Sequence, residues 1–305
     1  MPSVSSLDEA SAFLASAHAE LRTVRIGEEL TTTGLDRILE HEAGDLTCTV
    51  EAGVRLSELH RVLAAHGQRL SLDPPGDPTV GKLLAANASG PLRHRFGAPR
   101  DVLLGVTLVL ADGTIASAGG KVVKNVAGYD LGRLVCGSGG RLAFVARASF
   151  RLHPLPAAAR TLVVEPVDMA AAVAALLSSH LEPSALDILH PGRIALLFEG
   201  AERAVAAQLE RARSLVGGAE ADPDVWDESR RRQAEAVTRV RFAPGDLPRV
   251  LAELGAAIVR PGAGVAYAAG ETPRYKLLQG DGDAAATAAL VARIKRELDP
   301  RGILA

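Results

Sequence analysis

Two glycine-rich stretches hold the side chains of this sequence that point most directly to a ligand. They are DPPGDPTVGKLLAANASG, residues 73–90, and GGKVVKNVAGYDLGRLVCGSGG, residues 119–140. Glycine loses more backbone freedom on folding than any other residue, so such clusters belong in sharp turns or where a backbone must come close to something. Successive amide N–H groups in loops of this kind form concavities that hold anionic phosphates. Asn87, Ser89, Asn125 and Tyr129 add hydrogen-bonding groups suited to a polar heterocycle. Lys124 would offset phosphate charge, or negative charge developing on a reduced ring. The ordinary alternative is that these glycines only solve local turns. Two such segments in one half of the chain weigh against it, because a large ligand needs several loops to enclose it.

Side-chain catalysis is otherwise nearly silent. No G-x-G-x-x-G opens a helix after a strand, and neither G-x-x-x-x-G-K-[ST] nor H-E-x-x-H occurs. The histidines are dispersed, at 18, 41, 60, 66, 94, 153, 180 and 190, without the spacing of metal ligands. No catalytic residue and no metal site is therefore assigned. The two cysteines, Cys48 and Cys136, read as buried free thiols in a reducing compartment. A formal charge of -2 gives no basic field for nucleic acid or an anionic membrane. No apolar run reaches the length of a membrane span, and the first residues lack the basic n-region of a signal peptide. The expected location is the cytoplasm.

Residues 6–21 form an amphipathic helix capped by Ser6 or Asp8. Residues 47–52 alternate as a half-buried strand. In 55–66, Leu56, Leu59, Val62 and Leu63 share one helical face, and Gly67 closes it. Pro74, Pro75 and Pro78 keep 71–79 irregular. Residues 102–117 read as two strands joined at Ala111-Asp112-Gly113, and 142–153 as one long strand or a pair. Pro154 and Pro156 mark a boundary between domains 1–156 and 157–305. Beyond it come strand 161–166, helix 168–180, strands 185–189 and 193–198, and helix 201–215. A looser second round covers 238–242, 246–254, 256–260, 263–268 and helix 284–298. Such βαβ-type rounds predict a ferredoxin-like α+β sandwich. Residues 219–236, with Trp226 and Arg230-Arg231-Arg232, read as a surface connection.

The runs CTVEAGVRLSELHRVLAAHGQRLSLDPPG, TVGKLLAANASGPL and KNVAGYDL, the last followed by GS, resemble the FAD-binding domain of the vanillyl-alcohol-oxidase or p-cresol-methylhydroxylase type. Within that superfamily they resemble the FAD-binding E subunit of bacterial glycolate oxidase (glycolate dehydrogenase). The resemblance covers about 35–156 strongly. It implies an α+β fold, with a p-cresol-methylhydroxylase-type FAD-binding domain followed by a smaller ferredoxin-like α+β cap domain.

By position, the resemblance puts Pro74, Pro75, Thr79, Val80 and Gly81 along the flavin and diphosphate. Asn87, Ala88, Ser89 and Gly90 continue that wall. Lys124, Asn125, Gly128, Tyr129 and Asp130 border the isoalloxazine, and Gly137, Ser138 and Val145 the adenine-ribose end. No His or Cys occupies an evident tether position, so FAD is expected to be non-covalent. The implied function is a flavoprotein subunit of a glycolate or D-lactate dehydrogenase. It would relay electrons beside a larger flavin subunit and an iron–sulfur subunit, placing it in the cytoplasm or at the membrane periphery through the complex. The chain departs from the pattern at TVRIGEELTTTGLDRI, residues 23–38. There a Gly-rich diphosphate loop is expected, and Glu28 and Glu29 stand instead. Gly81-Lys82 replaces Gly-Gly, and Ala143 replaces a glycine. These departures keep open a second reading, a degenerate flavodomain acting as an assembly subunit without FAD. A weaker third is a stand-alone oxidase using oxygen.

Overall fold

The computed structural model describes residues 3–120, 130–270 and 284–305. Helix α1 (Leu7–Ala19) starts where expected, with the Ser6 hydroxyl accepting from the Glu9 amide. Five strands then form an antiparallel sheet in the order β1-β2-β6-β4-β5: β1 (Ile38–Glu42), β2 (Thr47–Glu51), β4 (Leu103–Val109), β5 (Ile115–Gly119) and β6 (Phe144–Arg151). The β4–β5 hairpin turns at Gly113, whose φ of 87° only glycine adopts freely. The alternation in β2 sends Cys48 and Val50 into a core with Phe150, Val106 and Leu108. On its polar side Thr47 and Glu51 are buried and Thr49 is half-buried. Glu51 is held there by two hydrogen bonds from the Arg37 guanidinium, at 3.1 and 2.8 Å.

Helix α2 (Leu56–Ala64) covers that core through Leu56, Leu59 and Leu63, while Val62 is half-buried. Each such leucine contributes about 1.5–3 kcal/mol by leaving water. Beside it lie α3 (Val80–Ala86), α4 (Arg93–Phe96), α5 (Pro99–Val102) and α6 (Leu131–Val135). The short strands β3 (Gln68–Arg69) and β7 (His153–Pro154) pair with each other. Residues 142–153 are thus one long strand followed by this small one.

The second sheet holds seven strands, all paired antiparallel, in the order β11-β8-β10-β9-β13-β14-β12. Its first part runs β8 (Ala158–Val164), α7 (Met169–Ser178), β9 (Ala185–His190), β10 (Arg193–Gly200), α8 (Glu202–Val216) and β11 (Ala219–Ala221). That is a ferredoxin-like βαββαβ unit, the predicted round completed by β11. The second round, β12 (Thr238–Arg241), α10 (Leu247–Glu253), β13 (Ala257–Arg260) and β14 (Val265–Ala268), joins the first where β13 pairs with β9. Helices α7, α8 and α10 bury Val173, Leu176, Val205, Leu209 and Val250 against one face.

Two expectations need correction. Residues 219–236 are not a surface connection: they form β11 and the helix α9 (Asp224–Ala234). Helix α9 buries Val225 and Trp226 against the other face of the sheet, and the Trp226 indole donates to Thr161 Oγ1 at 2.9 Å. The span 157–305 is also not one packed unit. Its last helix, α11 (Ala284–Leu298), packs Ile294 and Leu298 on the core of the first sheet, and Ile303 and Leu304 join Val4, Leu14 and Phe144. Buried Asp299 fixes that return by accepting from the Ile303 and Leu304 amides, both at 2.9 Å.

Candidate binding cleft

A cleft of about 490 Å³ opens where three segments converge. The first is the turn 25–33. Gly27, at φ 98°, bends the chain so that its amide donates to Leu30 O at 2.8 Å. The Glu28 and Glu29 amides donate to Arg25 O at 3.1 and 2.8 Å. The Arg25 guanidinium lies 3.6 and 3.7 Å from the Glu28 and Glu29 carboxylates. The second is α3, capped by Thr79, whose hydroxyl accepts from the Lys82 amide at 3.3 Å. The third is 135–145, turned by Gly137, Gly139 and Gly140 at φ 84°, 65° and 81°.

The walls combine three chemistries. Thr31, Thr32, Thr33, Thr79 and Ser138 supply hydroxyls. Gly81, Ala85, Ala86 and Gly139 leave room, and Ile26, Val135, Ala143 and Val145 supply apolar surface. Lys82 and Glu28 are the charged lining residues. The Lys82 ammonium has no hydrogen-bond or ion-pair partner among the described residues. At Gly81, an added Cβ would sit 3.2 Å from the Ala52 side chain, so glycine lets α3 lie close against β2. At Gly140 a Cβ would sit 3.1 Å from Ile26 Cβ. The cleft volume falls in the ~300–1,000 Å³ range of small-molecule and cofactor sites. Small and apolar surface together with hydroxyls and one cation fits an aromatic ring joined to an anionic group. The residues present therefore fit a flavin dinucleotide.

Of the expected site residues, Thr79, Gly81, Ser138 and Val145 line this cleft. Val80 beside them is fully buried in the core. Asn87 ends α3 in the left-handed conformation, and its Oδ1 accepts from the Arg100 amide at 3.4 Å. Ala88 packs on the core of the first sheet. Gly137 donates its amide to Leu84 O at 2.9 Å and lies outside the lining. Asp130 caps α6, accepting from the Arg133 amide at 2.9 Å. Lys124, Asn125, Gly128 and Tyr129 lie outside the described residues. Sequence reasoning missed Thr31, Thr32, Thr33, Ala85 and Ala86 as lining residues. The threonine run was the available signal for the first three.

Pro74, Pro75, Ser89 and Gly90 stand apart from the cleft lining, on the segment that meets the second sheet. Ser89 O accepts from Gln233 Nε2 at 2.8 Å and from Arg260 Nη1 at 3.5 Å. A Cβ on Gly90 would lie 1.8 Å from Asp73 O, so here the glycine does serve a local close approach. Fully buried Arg260 pairs with fully buried Asp187, Nε to Oδ1 at 3.1 Å, and the Ser229 hydroxyl donates to Asp187 Oδ2. Arg230 on α9 lies 3.4 Å from the Asp73 carboxylate. Burial pushes Asp73 up to about 7, although Arg260 and Arg230 pull the other way. Arg69 and Glu199 add a bidentate pair at 2.7 and 2.6 Å. Both thiols are pushed up to about 12 by burial, Cys48 and Cys136 alike, which makes them poor nucleophiles. Among the described residues no helix is long and apolar enough to cross a membrane.

Residues 18–119 match the FAD binding domain family. Over 201 residues the chain is 32% identical to glycolate oxidase subunit GlcE of Escherichia coli (strain K12), covering 64% of this chain and 56% of that protein. Over 160 residues it is 36% identical to glycolate oxidase subunit GlcD of Bacillus subtilis (strain 168), covering 51% of this chain and 34% of that one. A D-lactate dehydrogenase of Archaeoglobus fulgidus is 41% identical over 119 residues, 38% of this chain and 26% of the relative. The chain thus spans about half or less of the length of these relatives. A solved alkyldihydroxyacetonephosphate synthase superposes with a TM-score of 0.73 at 16% identity, over 99% of this chain and 76% of that one, which shows the shared α+β fold.

Proposed function

We propose that this chain, a member of the FAD-binding superfamily of the vanillyl-alcohol-oxidase and p-cresol-methylhydroxylase type, is the FAD-binding subunit of a 2-hydroxy-acid dehydrogenase. The observation that carries the reading is the cleft shared by the 26–33 turn, α3 and 135–145. Two of those segments fall inside the matched FAD binding domain. When bound, FAD supplies the redox chemistry; the protein supplies binding, orientation and electrostatics. Gly81, Ala85 and Ala86 leave the volume open, and Val135, Ala143 and Val145 keep water from one wall. The Thr79 and Ser138 hydroxyls orient the polar groups of the dinucleotide. Lys124, Asn125, Gly128, Tyr129 and Asp130 are assigned to the isoalloxazine edge, with Lys124 steadying negative charge there. Asn87 and Gly137 shape the loops behind the cleft.

The substrates proposed are glycolate or D-lactate, because the relatives include glycolate oxidase subunits and a D-lactate dehydrogenase. The partners proposed are a larger flavin subunit and an iron–sulfur subunit, in the cytoplasm. A second reading, an assembly subunit without flavin, is favoured by one specific feature: the 25–30 turn closes its amides on itself and presents Glu28 to the cleft. The deciding experiment is to purify the chain, record its visible absorbance, and reconstitute it with FAD. Non-covalent FAD, released on denaturation, supports the first reading. Colourless protein that takes up no FAD overturns it in favour of the second.

A further inference from the structure

Phosphates are held in proteins by free backbone amides or by cationic side chains. Around this cleft most of the amides of α3 and of residues 137–139 are already used. On α3, Val80 donates to Val54 O at 2.9 Å, Gly81 to Ala52 O at 2.7 Å and Leu83 to Thr79 O at 2.8 Å, while Lys82 uses the Thr79 hydroxyl. In the third segment, Gly137, Ser138 and Gly139 donate to Leu84 O, Val135 O and Ala85 O, at 2.9, 3.1 and 2.9 Å. The tip of the 25–30 turn is closed in the same way, and it presents the Glu28 carboxylate.

Of the charged lining residues, one is a cation. Lys82 lines the cleft on the first turn of α3, is exposed, and has no partner among the described residues. We propose that the Lys82 ammonium is the diphosphate-binding group of this cleft, and that Glu28 sets an upper limit on its affinity. Recognition here rests on a point charge and hydroxyls more than on a backbone concavity. It is therefore salt-sensitive, since an exposed charge pair is screened at physiological ionic strength. The inference rests on the proposed reading that the cleft takes FAD.

The test titrates the purified chain with FAD and with riboflavin, which has the same ring but no phosphate, following flavin fluorescence. The titrations are repeated for Lys82→Gln, Lys82→Arg and Glu28→Gln. Lys82→Gln should weaken FAD about tenfold, the size of one charge-assisted phosphate contact discounted for exposure, and leave riboflavin unchanged. Lys82→Arg should keep most of the FAD affinity, and Glu28→Gln should raise it about threefold. Added salt should weaken FAD more in the parent chain than in Lys82→Gln. Equal FAD affinity in the parent and Lys82→Gln overturns the role of Lys82 while leaving the flavin reading intact. Parallel loss of FAD and riboflavin overturns it as a mere packing effect. A parent chain that binds neither ligand overturns the flavin reading, and this proposal with it.

Discussion

Charged and hydroxyl-bearing side chains gather in two places, the cleft and the junction between the sheets, and their disposition is opposite. At the junction the charges answer one another. Asp187 and Arg260 are fully buried together, and Asp73 meets Arg230 across the two halves of the chain. In the cleft, hydroxyls line an open volume and Lys82 stands unpartnered among the described residues. The junction holds more charge, yet its groups are consumed in holding the sheets together. A buried charge already carrying its partners has nothing left for a ligand. Capacity for a ligand shows instead as an unanswered group beside empty space.

The largest effect should come from breaking the junction. Arg260→Met leaves Asp187 buried beside only the Ser229 hydroxyl, which should cost about 3–5 kcal/mol in urea or thermal unfolding. The double change Arg260→Met with Asp187→Leu should recover part of that. A loss below about 1 kcal/mol would show that the pair is not structural. Asp73 gives a second, smaller handle. Unfolded, its carboxyl titrates near 3.8; folded, near 7. Between those values the folded state holds more protons, so its contribution to stability is fully present below pH 4 and lost as pH rises through 7. Asp73→Asn should flatten that fall by about 2 kcal/mol, less than the full shift implies because the carboxylate is 19% exposed. A pH series of urea midpoints checks it, and an unchanged slope would break the assignment.

The cleft should answer in the other observable. Ala86→Phe adds a ring to an exposed position on its wall, so FAD affinity should fall about tenfold while stability stays within about 0.5 kcal/mol. A variant that unfolds without losing affinity would reverse the contrast between the two regions.

Much of the fold was legible because local pattern and tertiary role agree. Leu56, Leu59 and Leu63 repeat at helical spacing, and Gly113 marks a hairpin that forms. The βαββα order through α8 could be read from alternating elements, but its last strand, β11, lay in the span read as a surface connection. Helix α9 could not, because its polar run Asp227-Glu228-Ser229-Arg230-Arg231-Arg232 hides an apolar contact made by only Val225 and Trp226. The return of Ile303 and Leu304 to Val24 likewise depends on a pairing nearly the whole chain apart. In the cleft, Thr79, Gly81, Ser138 and Val145 were placed through the resemblance to the FAD-binding domain and not through any local pattern. Lys82, Glu28 and the threonines at 31–33 were not read as lining, since which loops converge is decided by sheet order. For residues 73–90, glycine density was an ambiguous sign: Gly81 serves the cleft and Gly90 the junction.

The smallest effect sharpens the comparison from inside the junction. His153, on β7, packs its ring against Phe96 with centroids 4.7 Å apart. Burial holds its imidazole down to about 4, with the positive charges of Arg151, Arg69 and Arg95 acting in the same direction. An unfolded histidine titrates near 6.5, so between pH 4 and 6.5 the unfolded chain holds more protons. The contribution of His153 is therefore present above 6.5 and lost as pH falls through 4, opposite in sign to that of Asp73. In the parent protein the two slopes oppose each other across this window, and the net dependence is shallow. His153→Asn should uncover the Asp73 slope, making stability fall with rising pH by about 1 kcal/mol more than in the parent. The double variant with Asp73→Asn should be flat again. A His153→Asn profile parallel to the parent would mean that this end of the junction carries no titrating charge, leaving Asp73, Arg230 and the Asp187–Arg260 pair to hold the two sheets together.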